Sequence, residues 1–224
     1  MKPATQLILL PGLGSDERLL APQRRAFPEL TIPPWFPPAK DESLASYAAR
    51  MAERVRPACN GRLVLGGVSF GGMLAYEMAR HLKCEAVVQI ASCRGRRALR
   101  FGFRVGCPLL PFVPLVAWDG AKLAAGVVMR ARSRMPPADR ALLVGMFREM
   151  DSAFMQWVAQ AALGWTPAPL EGTPVFQIHG RRDVMIPANR VQADVWIPDG
   201  GHLINVTHAD RVNDFLRTVM DGSH

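Results

Sequence analysis

The sequence holds little that would fasten it covalently or through a metal. Its four cysteines, at positions 59, 84, 93 and 107, form no C-x-x-C pair and no metal-like spacing. They read as reduced thiols packed as small apolar groups in a cytoplasmic protein. No metal-ligand set with suitable spacing appears, so no metal is expected. Long apolar runs are missing too. The N-terminal MKPATQLILLPG carries one lysine and an apolar run too short for a signal segment, and it reads as a first strand. The uncharged stretch Val105 to Trp118 has 14 residues and three prolines, too short and too interrupted to span a bilayer. There are no internal repeats and no low-complexity tracts. What is left, 224 residues with 49% apolar and 21% charged side chains, is the composition of one globular domain with a substantial core.

The middle of the chain is short of acid. Between Arg94 and Arg134 only Asp119 opposes eight arginines and Lys122, a surplus of eight that equals the net charge of the whole chain, +8. A neutral body therefore carries one basic segment. Its arginines form either a solvated face or a contact for an acidic partner: acyl carrier protein, the phosphates of coenzyme A, or a membrane surface. Nucleic acid is not expected, because no base-stacking aromatics interleave with the basic residues.

Short apolar runs at Gln6–Leu10, Arg62–Val68, Glu85–Ala91, Pro174–Ile178 and Ala193–Ile197 read as buried strands. Leu30–Trp35 is apolar but contains Pro33 and Pro34, which makes it at best an edge strand. Helical patterns fall at Asp16–Phe27, at Ser43–Val55 with Ser43 as its N-cap, at Gly71–Leu82 and at Ala209–Met220, with a short helix at Ala188–Gln192. Residues 94–166 break this alternation with several helices and proline hinges. The fold class expected is α/β: a mostly parallel sheet of about six strands with crossover helices, and one helical insertion. The core comprises residues 1–93 and 167–224.

Gly67-Val68-Ser69-Phe70-Gly71 follows a strand and opens a helix. A strand-to-helix turn this sharp strains its central residue and crowds the flanking backbone, so only small residues fit two before and two after it. The Ser69 hydroxyl then stands above the carboxyl edge of the sheet. A serine alcohol needs a base, and the base needs a carboxylate to orient it. His202, in Pro198-Asp199-Gly200-Gly201-His202, can swing over the sheet edge, and Asp183 follows the strand before it. His81 lies at the far end of the helix that Ser69 starts, and His224 is terminal. His179 and His208 read as packing residues. Asp199 is a rival acid, three residues from His202 in the same loop. Gly12-Leu13-Gly14 is not a dinucleotide fingerprint, because Glu17 occupies the third glycine position, and Gly66–Gly72 lacks the Lys-Ser/Thr of a phosphate loop.

Four motifs in order are similar to those of the α/β-hydrolases, and together they cover nearly the whole chain. They are Leu10-Pro11-Gly12-Leu13-Gly14, Gly67-Val68-Ser69-Phe70-Gly71-Gly72, His179-Gly180-Arg181-Arg182-Asp183 through Ile186-Pro187, and Gly200-Gly201-His202. The resemblance implies that Ser69 is the nucleophile, His202 the general base and then acid, and Asp183 its orienter. It also implies that the backbone N–H groups of Leu13 and Phe70 form the oxyanion hole. Two departures stand out: Pro11 replaces the usual histidine of the first motif, and the two N-terminal strands of the full fold are not expected. Residues 94–166 fall where the family carries its lid. On that reading Leu110, Phe112, Trp118, Met146, Phe147 and Trp157 line a substrate pocket, while Arg94, Arg96, Arg97, Arg100 and Arg104 offer a basic partner contact. SFGGMLAYEMA also resembles the elbow of thioesterases that release acyl chains from carrier proteins.

The expected activity is cleavage of a small-molecule carboxylic ester with an apolar acyl group, through an acyl-enzyme and without a cofactor. The alternatives are a thioesterase or esterase acting on acyl chains bound to acyl carrier protein or coenzyme A, an acyltransferase or lyase using the same triad, and a catalytically silent binding protein.

Overall fold

The computed structural model describes residues 5–56, 59, 61–99, 113–132 and 137–222. Five parallel strands form one sheet in sequence order: β1 (Thr5–Leu10), β2 (Arg62–Val68), β3 (Ala86–Ile90), β4 (Val175–Gly180) and β5 (Val195–Ile197). The central three, β2, β3 and β4, are almost wholly buried. Helices cover them on both faces, which is why they read as unbroken apolar runs rather than alternating ones.

The expected sixth strand shrinks to a single bridge. Thr31 takes the N–H of Leu9 and gives its own N–H to Leu7, at 3.0 Å each. The next residue to face β1 is Pro33, which has no N–H to donate, so the ladder stops there. Among the described residues the sheet therefore has five strands, not six. The helix expected over Asp16–Phe27 is also split, into a 3-10 turn at Glu17–Leu20 and α1 at Ala21–Ala26. Pro22 is the cause, since it cannot donate back to the preceding turn.

From β1 the chain travels one way, through α1 to Thr31. It then returns through α2 (Leu44–Val55) over β1 to β2, and through α3 (Phe70–Met78) to β3. Right-handed crossovers taken in opposite directions put their helices on opposite faces. Accordingly α2 and α3 pack together on one face, and α1 packs on the other with α8 (Ala209–Asp221). The α2 stripe of Leu44, Tyr47, Ala48, Met51, Ala52 and Val55 is buried, and the Ser43 Oγ accepts the Ser46 N–H at its start. Because the chain leaves β1 and β2 in opposite directions, a crevice opens at their carboxyl ends.

Among the described residues three α-helices lie between β3 and β4: α4 (Leu115–Arg132), α5 (Pro137–Glu149) and α6 (Ser152–Gly164). Leu143 and Met146 of α5 join the apolar cluster on the α1/α8 face, while Phe154, Trp157 and Val158 of α6 join the one on the α2/α3 face. The pair thus straddles the body. A four-residue helix, α7 (Ile204–Thr207), precedes α8. Among the described residues no helix is long and apolar enough to cross a membrane.

Candidate active site

Every side chain singled out for chemistry follows the carboxyl end of a parallel strand. Ser69 comes directly after β2, Gly12 and Leu13 after β1, Asp183 after β4, and His202 after β5. The turn at Ser69 is as tight as its spacing demands. Its backbone sits at φ 53° and ψ −117°, a conformation that an L-residue adopts only under strain. A Cβ on Gly67 would lie 2.6 Å from the Gly71 carbonyl oxygen and 2.8 Å from the Gly72 nitrogen. Glycine at 67 is therefore a condition of the turn. The strain is held in place by hydrogen bonds: the Ser69 N–H donates to the Ile90 carbonyl at 2.9 Å, and the Ser92 hydroxyl donates to the Ser69 carbonyl at 2.6 Å.

Ser69, His202 and Asp183 meet in one line. The Ser69 Oγ lies 3.0 Å from His202 Nε2, and His202 Nδ1 lies 2.7 Å from Asp183 Oδ2. A carboxylate can only accept, so Nδ1 carries the hydrogen and Nε2 is left as the acceptor for the serine O–H. The other Asp183 oxygen accepts the N–H groups of Met185 at 2.8 Å and Ile186 at 2.9 Å. The Asp183 side chain is fully buried, and that of His202 is 19% exposed. Burial alone pushes the Asp183 carboxyl up. The His202 hydrogen bond and charge, with the Ile186 N–H, outweigh it and hold the group below the ordinary carboxylate range.

A folded-state pKa below the unfolded one means that ionised Asp183 stabilises the fold above the unfolded value. That stabilisation is lost as pH falls through the lower, folded value. Asp183→Asn is therefore expected to melt below the wild type at neutral pH, with the gap closing in thermal scans below about pH 4. It should also lose most turnover at neutral pH. To accept the two backbone N–H groups, the amide must turn its NH2 toward His202, which forces the wrong imidazole tautomer. A gap that stays constant with pH would count against the ionised pairing.

The rival residues are engaged elsewhere. Asp199 is exposed and pairs with His208 at 3.3 Å. His179 is fully buried and meets the Ile186 carbonyl at 2.9 Å, with its Nε2 3.3 Å from Asp183 Oδ2. Desolvation lowers its pKa, so it is neutral behind the pair. Burial pushes the Cys93 thiol up to about 11, which makes it no competing nucleophile.

Phe70 is the first residue of α3, where backbone N–H groups have no partner within the helix. Gly12 lies against Ser69, since a Cβ there would be 3.5 Å from the serine Cβ, and this brings Leu13 alongside. The pocket residues scatter. Leu110 and Phe112 lie outside the described residues, and Trp118 is half-buried on α4. Phe147 covers Gly14, where a Cβ would come within 2.7 Å of its ring. Met146 is buried in the α1/α8 cluster. Trp157 packs between Tyr47 and Phe70 and donates its indole N–H to the Glu42 carbonyl at 2.8 Å. Arg94, Arg96 and Arg97 line one hollow together, while Arg100 and Arg104 lie outside the described residues.

Sequence reasoning missed Ser92 and Gln177. The Gln177 amide donates to the Ser92 carbonyl at 2.8 Å, and Ser92 in turn holds the Ser69 carbonyl. The one signal that could have found this support is a glutamine inside each of two apolar strands, AVVQI and VFQIHG.

A family model described as "Alpha/beta hydrolase family" matches residues 5–215. No curated protein matches the chain. Among solved structures, the chain is similar to olei00960, a hydrolase from Oleispira antarctica, with TM-score 0.75 and 15% identity over 99% of this chain and 92% of that one. It is similar to a thermophilic esterase from Thermogutta terrifontis, with TM-score 0.72 and 20% identity over 100% and 91% of the two chains. It is also similar to the type II thioesterase BorB from the borrelidin biosynthetic cluster, with TM-score 0.69 and 18% identity over 98% and 94%. At these identities the likeness is one of fold.

Proposed function

The chain belongs to the alpha/beta hydrolase family, and from that premise we propose that it is a serine hydrolase cleaving a carboxylic ester with an apolar acyl group. The observation that carries this reading is the hydrogen-bonded line from Ser69 through His202 to buried Asp183. His202 Nε2 takes the hydroxyl proton as Ser69 Oγ attacks the ester carbonyl. The N–H groups of Phe70 and Leu13, with the N-terminus of α3, receive the negative charge on the carbonyl oxygen. The alkoxide leaves with the proton from His202. Water, deprotonated by the same histidine, then cleaves the acyl-enzyme and restores Ser69. The cycle as written needs no cofactor.

An apolar acyl group is supported by the loops that carry the site. Leu13 is 38% exposed beside Gly12, and Val184 and Met185 are exposed directly after Asp183. Residues 94–166 serve in this reading as the lid, because α5 and α6 straddle the two faces and Phe147 reaches the loop that holds Leu13. The free thiols at Cys59, Cys84 and Cys93 fit a cytoplasmic site of action. A second reading, hydrolysis of an acyl group held on coenzyme A or acyl carrier protein, is favoured by the arginines gathered after β3.

The test is turnover of p-nitrophenyl esters from acetate to palmitate, together with labelling by a fluorophosphonate. The expected result is hydrolysis that improves beyond acetate and one adduct, mapped by peptide mass to Ser69. A folded protein that is neither active nor labelled would overturn the reading and leave a silent binding module in its place.

A further inference from the structure

Three amide side chains are buried on the α1/α8 face: Gln23 of α1, Asn205 of α7 and Asn213 of α8. Leu19, Leu20, Ile204, Val212 and Leu216 form the apolar cluster on that face. The Gln23 Nε2 donates to the Asn205 carbonyl at 2.9 Å and to Asn213 Oδ1 at 3.2 Å. The Asn205 Nδ2 donates in turn to the Leu19 carbonyl at 3.0 Å. A backbone carbonyl can only accept, which fixes the end of Gln23 and of Asn205 that carries the nitrogen. The other ends, Gln23 Oε1 and Asn205 Oδ1, are buried and receive no hydrogen bond among the described residues.

An unmatched buried oxygen costs at least as much as an average buried hydrogen bond returns. Two such oxygens against three bonds leave the group with little stability to offer, and methionine or leucine would fill the same space without that cost. What the amides supply is direction, and they supply it next to the base. His202 stands three residues before Asn205. Upstream of it the Gly200 carbonyl accepts the Arg182 N–H at 2.9 Å, but a Cβ on Gly201 would meet nothing within 4 Å, so the chain entering His202 is free to turn. Downstream, α7 is a single turn, too short to hold its own place. Its place is set at Asn205, held by Gln23 through the carbonyl and by the Leu19 carbonyl through the side chain. Leu19 and Gln23 lie in the segment that leaves the Gly12–Leu13 loop, which the Ser15 hydroxyl closes by donating to the Gly12 carbonyl at 2.9 Å. The loop of the base is thus joined to the loop of the Leu13 N–H. Resting on the hydrolase reading for its catalytic consequence, we propose that Gln23 and Asn205 are positioning residues, a buried amide clasp that sets where the His202 imidazole stands against Ser69 and Leu13.

The experiment compares Gln23→Met with Asn213→Leu. Gln23→Met keeps the volume and removes the donor, and it is expected to lower kcat on an ester that the wild type turns over by about 10- to 100-fold with KM within about twofold. Asn213→Leu removes the partner of Gln23 that lies on α8 and not on the His202 loop, and its kcat should stay within about twofold of the wild type. Thermal melts set the temperature of the assays, since a merely structural role would lower Tm and leave kcat of the folded molecules intact. A second readout needs no turnover. The His202 Nδ1 hydrogen, shared with Asp183 across 2.7 Å, gives a far-downfield proton NMR signal, identified by its loss in His202→Ala. It should be sharp in the wild type and in Asn213→Leu and broadened in Gln23→Met. Should Gln23→Met fail to fold, Asn205→Ala cuts the Leu19 tie alone and should show the same changes in smaller size. Either readout unchanged in folded Gln23→Met, or equal losses in Asn213→Leu, would overturn the proposal. A protein inert to every ester whose signal still broadens in Gln23→Met keeps the clasp and loses the hydrolase reading. A wild type without the signal would deny the pairing of His202 with Asp183 on which both rest.

Discussion

Replacing Ser69 by alanine is expected to lower kcat by about 10⁴-fold or more on any ester that the wild type turns over, with the fold intact. Only the hydroxyl is removed. The neighbours that shape the turn, the Ile90 carbonyl and the Ser92 hydroxyl, bind backbone atoms that alanine keeps. Glycine at the same position should be equally inactive yet more stable than the alanine variant by about 1 kcal/mol, because it adopts φ 53° and ψ −117° without the Cβ clash. For a chain of this size that is a rise in Tm of roughly 2–4 °C. The two variants separate chemistry from strain. Residual turnover in Ser69→Ala would point to another nucleophile. A Ser69→Gly protein no more stable than Ser69→Ala would mean that the turn stores no strain.

The turn was legible in the sequence because its cause is local. A serine flanked by glycines at −2 and +2 states a steric requirement within five residues, and the structure meets that requirement at Gly67. Helix α2 was legible for the same reason, since cap and stripe lie within thirteen residues. The edge strand was overestimated although its prolines were in view. Apolar composition at Leu30–Trp35 says that the segment is buried, but only the register decides that Pro33, rather than Ile32, faces β1. The support behind Ser69 depends on hydrogen bonds between residues 23 and 85 positions apart, which no local pattern encodes. Trp157 and Met146 illustrate a different limit. An apolar side chain in a helical insertion can fill a core or line a cavity, and the choice rests on neighbours such as Tyr47 and the Glu42 carbonyl that lie far away in the chain.

Alanine at Gly71 is expected to damage stability and activity together, for a reason that begins in the packing of two loops. A Cβ there would be driven into the backbone of Leu10 and Pro11, with the Leu10 carbonyl carbon only 2.7 Å away. Backbone cannot rotate aside as a long side chain can, so either α3 or the loop after β1 must move. The overlap should cost about 3 kcal/mol or more, roughly a 10 °C fall in Tm. The direction of the relief matters as much as its size. Moving the loop carries Gly12 and Leu13 away from Ser69, and moving α3 carries Phe70 with it. Either way the two backbone N–H groups proposed to receive the oxyanion lose their common focus, and kcat should fall even in molecules that remain folded. Gly201→Ala is the matching control. It neighbours His202, yet a Cβ there meets nothing within 4 Å, so its stability should stay within about 0.5 kcal/mol of the wild type. Urea melts and p-nitrophenyl ester turnover of the two variants test the idea side by side. A Gly71→Ala protein of wild-type stability would show that the contact between the elbow and the first loop is not the tight one described here. A destabilised but fully active one would show that the oxyanion donors do not depend on it.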